Sequence, residues 1–407
     1  RRLREDPAEY ARGVECVARW QNIVAPRSTC LLMSHAYYDI YRSLVLRKDW
    51  EERPRVAVVS HAELRDGSIQ APASTHVRLL QKMRDSLERP VRYDLLLDQE
   101  KMDATAKCYQ GLLVQRSALP PKKLDKLRLM AGGYAKVFME IDDDLLNMRD
   151  QGADAAESRE LVREILGLAD LVFVSTEELQ SRFSSLARQL VVEPNAIAER
   201  PWLSPLEEGP AEIFNSLHGR KTDTEIRAIY FGTKTHQRDL EIVKPAVLRL
   251  REAYPQFRLF TVGVTDQVSD WFEPVRVPDT SKNYPDFVPW LRGIMKTMDF
   301  AIAPLEDSYF NRAKSDLKFL ECAAAGVLCL ASKVGPYARS IRDGETGVLV
   351  ENTAEGWYEA MRLAIESPTL RAEIAASAKT EILSSRLMSE RVTAFDGHIR
   401  NAMAGGN

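Results

Sequence analysis

Short apolar runs alternate with longer amphipathic stretches along most of the chain. The runs at 55–61 (RVAVVSH), 93–97, 111–115, 136–141, 171–175 and 190–192 have the length and composition of buried parallel strands. A second series at 226–231, 257–264, 300–305 and 327–331 repeats the pattern. Helical spacing fills the intervals, notably at 74–87, 239–253, 284–298 and 316–325, and continues at 354–365, 369–382 and 389–403. Strands alternating with helices predict doubly wound parallel sheets in an α/β fold. Pro201, Pro205, Gly209 and Pro210 mark a linker between the two series. Two further helices are expected at 8–24 and 28–46, ahead of the first strand. The predicted division is a helical extension over 1–54, α/β domains over 55–205 and 206–385, and a final helical segment over 386–407.

The most informative stretch is 299–350, a strand, a polar loop, a helix and a second strand. In open α/β sheets ligands bind where strands end and helices begin, and phosphates favour the exposed N–H groups there. Asn311, Lys314, Lys318 and Glu321 are spaced three, four and three apart, one stripe if the helix extends back to Asn311. Two cations beside a helix N-terminus suit a diphosphate, and a carboxylate deeper in the helix suits a ribose diol. Spacing alone leaves a solvated face with a Lys318–Glu321 ion pair equally open. Gly326 stands where a helix-ending glycine is expected.

A second strand–glycine–helix unit begins at Gly232, Thr233 and Lys234, where small residues admit a phosphate beside a basic side chain. His236 follows, as a possible diphosphate contact or a solvated loop residue. Glu140, Asp142, Asp143 and Asp144 cluster at the end of the 136–141 strand. Such carboxylates bind a metal, orient acceptor hydroxyls, or cap the next helix and interact with its dipole. No GxGxxG follows the first strand, so the dinucleotide fingerprint is absent.

Composition narrows the class. A chain of 407 residues exceeds one comfortable core, and a net charge of −3 gives no reason to expect nucleic acid as a partner. Five cysteines without metal-ligand spacing fit a reducing, cytoplasmic setting better than a disulfide framework or a zinc site. No apolar run reaches membrane-spanning length. The basic first helix is expected to pack on the main body, with contact to an anionic membrane surface or a neighbouring module as the looser reading. The chain begins at Arg1 without a signal-peptide pattern, so a region of a longer protein is expected.

The stretch KSDLKFLECAAAGVLCLASKVGPYARSIRDGETGVLV resembles the donor-binding region of retaining GT-B glycosyltransferases, family 4 in particular, of a bacterial polysaccharide-synthesis type. ADLVFVSTEELQSRF followed by VEPNAIAE is similar to that family's domain junction. The resemblance implies a GT-B fold with the acceptor mainly on the first domain, the donor on the second, and a last helix crossing back. It implies Glu321 at the nucleotide ribose and the amides of Lys314, Ser315 and Asp316 at the diphosphate. The family's usual Glu, eight residues before the ribose Glu, is Ala313 here. It further implies Asp142 or Asp143 facing the sugar, base contacts through the backbone near 275–278, and no metal or other cofactor. The expected reaction moves a sugar from a nucleoside diphosphate sugar to a hydroxyl of a glycan or lipid-linked glycan, with retention. Lys314, Lys318 or Lys234 would stabilise the departing phosphate, which itself helps deprotonate the acceptor. A GT-B sugar-nucleotide epimerase and a non-catalytic glycan-binding or scaffold module are the alternatives.

Overall fold

The computed structural model describes residues 53–405 except 66, 84–88, 98–108, 120–123, 132–134, 149–152 and 207. The helices expected at 8–24 and 28–46 lie outside the described residues.

Two six-stranded sheets, each wholly parallel, form the two halves of the molecule. The first contains β1 (Arg55–Val59), β4 (Arg92–Leu95), β5 (Gly111–Gln115), β6 (Lys136–Ile141), β7 (Leu171–Val174) and β8 (Leu190–Val192), ordered β4-β1-β5-β6-β7-β8. The second contains β9 (Ile226–Phe231), β10 (Phe257–Val262), β11 (Glu273–Val275), β12 (Phe300–Ala303), β13 (Leu328–Ser332) and β14 (Val348–Val350), ordered β11-β10-β9-β12-β13-β14. Every residue of β5, β7, β12 and β13 is buried, which is why these strands read as continuous apolar runs.

In each sheet the strand order reverses once, beside β1 in the first and between β9 and β12 in the second. The crevice outside the carboxyl ends at such a reversal is where α/β sheets take ligands. The stretch 62–74 contains a small antiparallel hairpin of β2 (Glu63–Arg65) and β3 (Ser68–Gln70). Gly67 makes its turn, with φ +76°.

The expected helix at 74–87 is irregular over its described part. It runs through Ala73–Thr75, a π-turn over His76–Leu80, and Gln81–Met83. The helix expected at 239–253 is two pieces, Gln237–Glu241 and Lys244–Ala253, the second opening on Pro245.

The helix Met388–Ala404 packs on the first sheet, where Phe395 and Ile399 join Val56, Val58 and Phe173 in one core cluster. Asp396 on this helix pairs with the buried Arg89 and accepts from the Tyr93 hydroxyl at 2.7 Å. Trp202 and Phe214 pack into the second core, which Val77 of the first half also joins. Among the described residues no helix is long and apolar enough to cross a membrane.

Candidate active site

The reversal in the second sheet brings the Gly232 loop and the 304–316 loop together. Gly232 N–H donates to the Val262 carbonyl at 3.0 Å. Gly263 (φ +72°) packs so closely that a Cβ there would lie 2.5 Å from the Gly232 oxygen. A Cβ on Gly232 itself would lie 3.4 Å from both His236 Cδ2 and Lys318 Cε. Absent side chains thus bring the β9 backbone up to the helix Leu317–Ala325. Gly326 ends that helix in the left-handed conformation, with φ +74°, as its sequence position implied.

The helix starts at Leu317, one residue from the expected start, and does not extend back to Asn311, so the condition for a single stripe from Asn311 to Glu321 is not met. Asn311 lies on a separate single turn, Tyr309–Arg312, capped by the Ser308 hydroxyl. It is buried, and its Nδ2 donates to the Glu306 carbonyl at 2.9 Å, closing the loop on itself. Lys314 still faces the cleft, with its Nζ 5.1 Å from the Phe310 ring centre. Lys318 also reaches the cleft; burial first, then the neighbouring Lys314 charge, holds its ammonium down at about 8.

Glu321 is 6% exposed and accepts from the Tyr284 hydroxyl at 3.0 Å. Burial pushes its carboxyl up to about 7, against the opposing pull of Tyr284 and Lys318. Asp316 is buried in a two-pronged ion pair with Arg386, both contacts at 3.0 Å, which leaves its carboxylate a structural task. Ser315 Oγ accepts from Asn195 Nδ2 at 2.7 Å.

The Gly232 loop contributes unevenly. Thr233 lines the cleft and its hydroxyl is paired with that of Thr235 at 2.8 Å. The Lys234 side chain is 80% exposed, lies 3.7 Å from Asp266, and is not among the cleft-lining residues. The structure therefore does not bring this sequence candidate to the cleft. His236 does line it, and burial with the nearby Lys318 charge lowers its pKa to about 4. The ring is neutral at pH 7 and its Nδ1 faces Asp239 Oδ2 at 2.7 Å. A carboxylate accepts only, so Nδ1 carries the proton and Nε2 is left as an acceptor. Such a nitrogen suits a hydroxyl better than an anionic phosphate.

The opposite wall belongs to the first domain. Asp142 and Asp143 both line the cleft, and both are held by Arg116, which reaches Asp143 at 2.7 Å and Asp142 more closely. Burial opposes ionisation of Asp142, but Arg116 overrides it and holds the carboxyl below its usual range. Arg116 sits at φ +50°, the sole non-glycine residue with positive φ among those described. Asp144 is turned inward, bound to Arg182 at 2.7 Å, and makes no side-chain cap. Glu140 is fully buried beneath the wall, paired with Arg78 at 2.6 Å. Among the described residues no cluster of three His, Cys, Asp or Glu side chains is arranged to hold a metal.

Together the two walls enclose a cleft of about 710 Å³, bounded by Ser74, Arg116 and Asp143 on one side and by His236, Asn311 and Lys314 on the other. Arg116 carried no signal in the sequence, since its partners lie 26 and 27 residues away. Ala313, at the position of the family's missing Glu, is fully buried among first-domain residues and not presented to the cleft.

Comparison with known proteins agrees with this fold. Over 119 residues the chain is 29% identical to a D-inositol 3-phosphate glycosyltransferase of Rhodococcus erythropolis, a match spanning 29% of this chain and 23% of that protein. The chain thus spans about a quarter of that relative's length. The fold is similar to sucrose-phosphate synthase from Thermosynechococcus elongatus, with a TM-score of 0.62, 13% identity, and coverage of 87% of this chain and 100% of that one. It is also similar to Anabaena HepE in complex with UDP-glucose, with a TM-score of 0.61, 12% identity, and coverage of 86% and 99%. Residues 225–367 match the family described as glycosyl transferases group 1, and the chain carries a domain of that group within a two-domain GT-B-like fold.

Proposed function

We propose that this protein transfers a sugar, with retention, from a nucleoside diphosphate sugar to a hydroxyl of a glycan or lipid-linked glycan, in assembly of a bacterial surface polysaccharide. The observation that carries the reading is the convergence of Gly232, His236, Lys314, Ser315 and Lys318 at the reversal of the second sheet. Small loop residues, two cations and a helix N-terminus are what a diphosphate needs.

In this reading the ribose lies toward Glu321, the diphosphate against Lys314, Ser315 and Lys318, and the sugar between His236 and the Asp142–Arg116–Asp143 group. Preorganised cations stabilise the charge on the departing phosphate, and that phosphate takes the acceptor proton, so no protein nucleophile or metal is needed. Asp142 and Asp143 orient the acceptor.

A non-catalytic module is the second reading, favoured by the burial of Ala313 where the family has a carboxylate. Thermal shift with UDP, GDP, dTDP, CMP and ADP, with and without Mg²⁺, tests the donor pocket, because a ligand of the folded state raises Tm by mass action. Release of the nucleoside diphosphate from its sugar donor, dependent on an added acceptor, then separates transferase from module. Binding without release supports the module, and no binding at millimolar ligand removes the donor reading.

A further inference from the structure

A line of buried polar groups runs from the first sheet to the diphosphate loop. Glu140 Oε1 accepts from Arg78 Nε at 2.6 Å, and both residues are fully buried. Arg78 Nη1 donates to the Glu193 carbonyl at 2.6 Å and to Asn195 Oδ1 at 2.8 Å. Asn195 Nδ2 then donates across to Ser315 Oγ at 2.7 Å. The orientation of the Asn195 amide is dictated chemically. A guanidinium only donates, so the amide oxygen must face Arg78 and the amide nitrogen must face Ser315.

Ser315 Oγ therefore receives a hydrogen bond from within the protein, and its own proton points elsewhere. Among the described residues that proton is given to no protein acceptor. Ser315 lines the cleft with Lys314, Lys318 and His236, so an anionic oxygen placed between the lysines is in reach of this hydroxyl. Asn195 is itself 3% exposed, and Arg386 binds its carbonyl at 2.8 Å while pairing with Asp316, the residue after Ser315. Its freedom to turn is removed from both ends.

We propose that Asn195 is a positioning residue that fixes the Ser315 hydroxyl as a hydrogen-bond donor to the donor substrate's distal phosphate. This rests on the nucleoside diphosphate reading of the cleft. Asn195 is tied to the first domain through Arg78, whereas Ser315 belongs to the second. The hydroxyl is consequently set only when the two domains meet as they do here. Arg78 and Glu140 act behind Asn195, fixing which end of its amide faces the cleft.

The test uses the full chain and compares each nucleoside diphosphate (UDP, GDP, dTDP, ADP) with its monophosphate by calorimetry. Asn195→Asp is nearly isosteric and keeps an acceptor for Arg78, but it requires Ser315 to turn its proton away from the cleft. Asn195→Asp and Ser315→Ala are each expected to weaken the preferred diphosphate about tenfold, the worth of one charge-assisted hydrogen bond. The monophosphate should be unaffected. The double variant should be no weaker than the worse single, because both remove the same contact. Ser315→Thr, which keeps a hydroxyl, should retain affinity for the diphosphate.

Equal losses for monophosphate and diphosphate, unchanged diphosphate affinity, or losses that multiply in the double variant would each overturn the positioning role while leaving the donor pocket standing. Failure of the wild type to bind any of the diphosphates would overturn the donor reading, and this proposal with it. Melting curves of the variants matching wild type exclude a merely structural effect, and a lowered Tm that accompanies equal losses counts against the proposal.

Discussion

The Thr176 hydroxyl donates to the Ala313 carbonyl at 2.9 Å, while Thr176 Oγ1 itself accepts from the Leu179 N–H at 3.2 Å. One side chain thus caps the helix Glu177–Phe183 and fastens the loop that leads to Lys314. The Ala313 methyl group packs with the first domain's core, beside residues such as Val174 and Leu179.

Introducing by Ala313→Glu the carboxylate of the family that the sequence resembles is therefore expected to harm the protein. It places an unpaired charge in a dry interface at a cost of several kcal/mol. Calorimetric melting should show a marked fall in Tm, and nucleotide affinity should fall with it as the loop is displaced. A variant that melts like wild type and turns over faster would mean that the position opens to the cleft.

Glu321 makes stability and binding pH-dependent in opposite senses. Its folded carboxyl lies at about 7, against an ordinary value of 4.5. Between pH 4.5 and 7 the unfolded carboxyl has ionised while the folded one still holds its proton, so this group's contribution to stability falls as pH rises. The loss across that window is about 3 kcal/mol. Glu321→Gln should flatten the pH–stability curve and be the more stable form at pH 8. Nucleotide affinity in the wild type should rise with pH toward 7, because a ribose diol donates to the charged form. In the glutamine variant it should be lower by about 1.5–3 kcal/mol and insensitive to pH in that range. Parallel urea and calorimetric titrations from pH 5 to 8 check both halves.

Lys314→Ala removes one cation from the wall proposed to hold the diphosphate, without disturbing the core. Turnover is expected to fall about 10²-fold, the usual loss for one donor to developing negative charge. Lys234→Ala, acting on an exposed side chain, should leave turnover near the wild-type level. Equal effects of the two substitutions on kcat would contradict the placement of these lysines.

The Asp142–Arg116–Asp143 group makes a separate prediction. Asp142→Asn and Asp143→Asn should depress turnover while nucleotide affinity, measured by calorimetry, stays the same. Arg116→Ala leaves two neighbouring carboxylates uncompensated, and should depress turnover at least as far. Wild-type rates in both aspartate variants would reduce the group to a structural brace.

Gly263→Ala tests the close approach of β9 and β10. The new Cβ would meet the Gly232 oxygen at 2.5 Å, at a backbone conformation that alanine disfavours. A stability loss of about 1–3 kcal/mol from backbone strain alone is expected, with more from the clash, together with weaker diphosphate binding. The urea midpoint measures the first effect, and calorimetry the second.

The strands were legible because a parallel strand covered on both faces must be apolar throughout, and runs such as FAIA at 300–303 are that by necessity. Gly326 was legible for a similar reason, since helix-ending geometry is a local property. The partners of those local features were not. Nothing near Arg116 in sequence announces that it will bridge two aspartates on the next strand's loop. Nothing distinguishes Arg78, sunk completely beneath the cleft, from an arginine on a solvated helix face. Whether the helix reached back to Asn311 stayed open, because Asn311, Lys314 and Lys318 are equally compatible with one long helix or with two short ones. The loop's own bond from Asn311 to Glu306 decides between them. Lys234 was misleading in the same way, since a basic residue after a glycine turn can point either into a cleft or, as here, away from it.

The return of the chain to the first sheet has a mechanical meaning. Ile197 N–H donates to the Arg386 carbonyl at 2.8 Å, and Met388 N–H donates to the Ile197 carbonyl at 2.9 Å. The two covalent passages between the halves therefore run side by side in the same direction, joined like adjacent strands of a narrow ribbon. A ribbon bends readily across its thin direction and resists twisting about its length and shearing in its plane. Sliding of one passage past the other would break both bonds, so the two crossings are held in register.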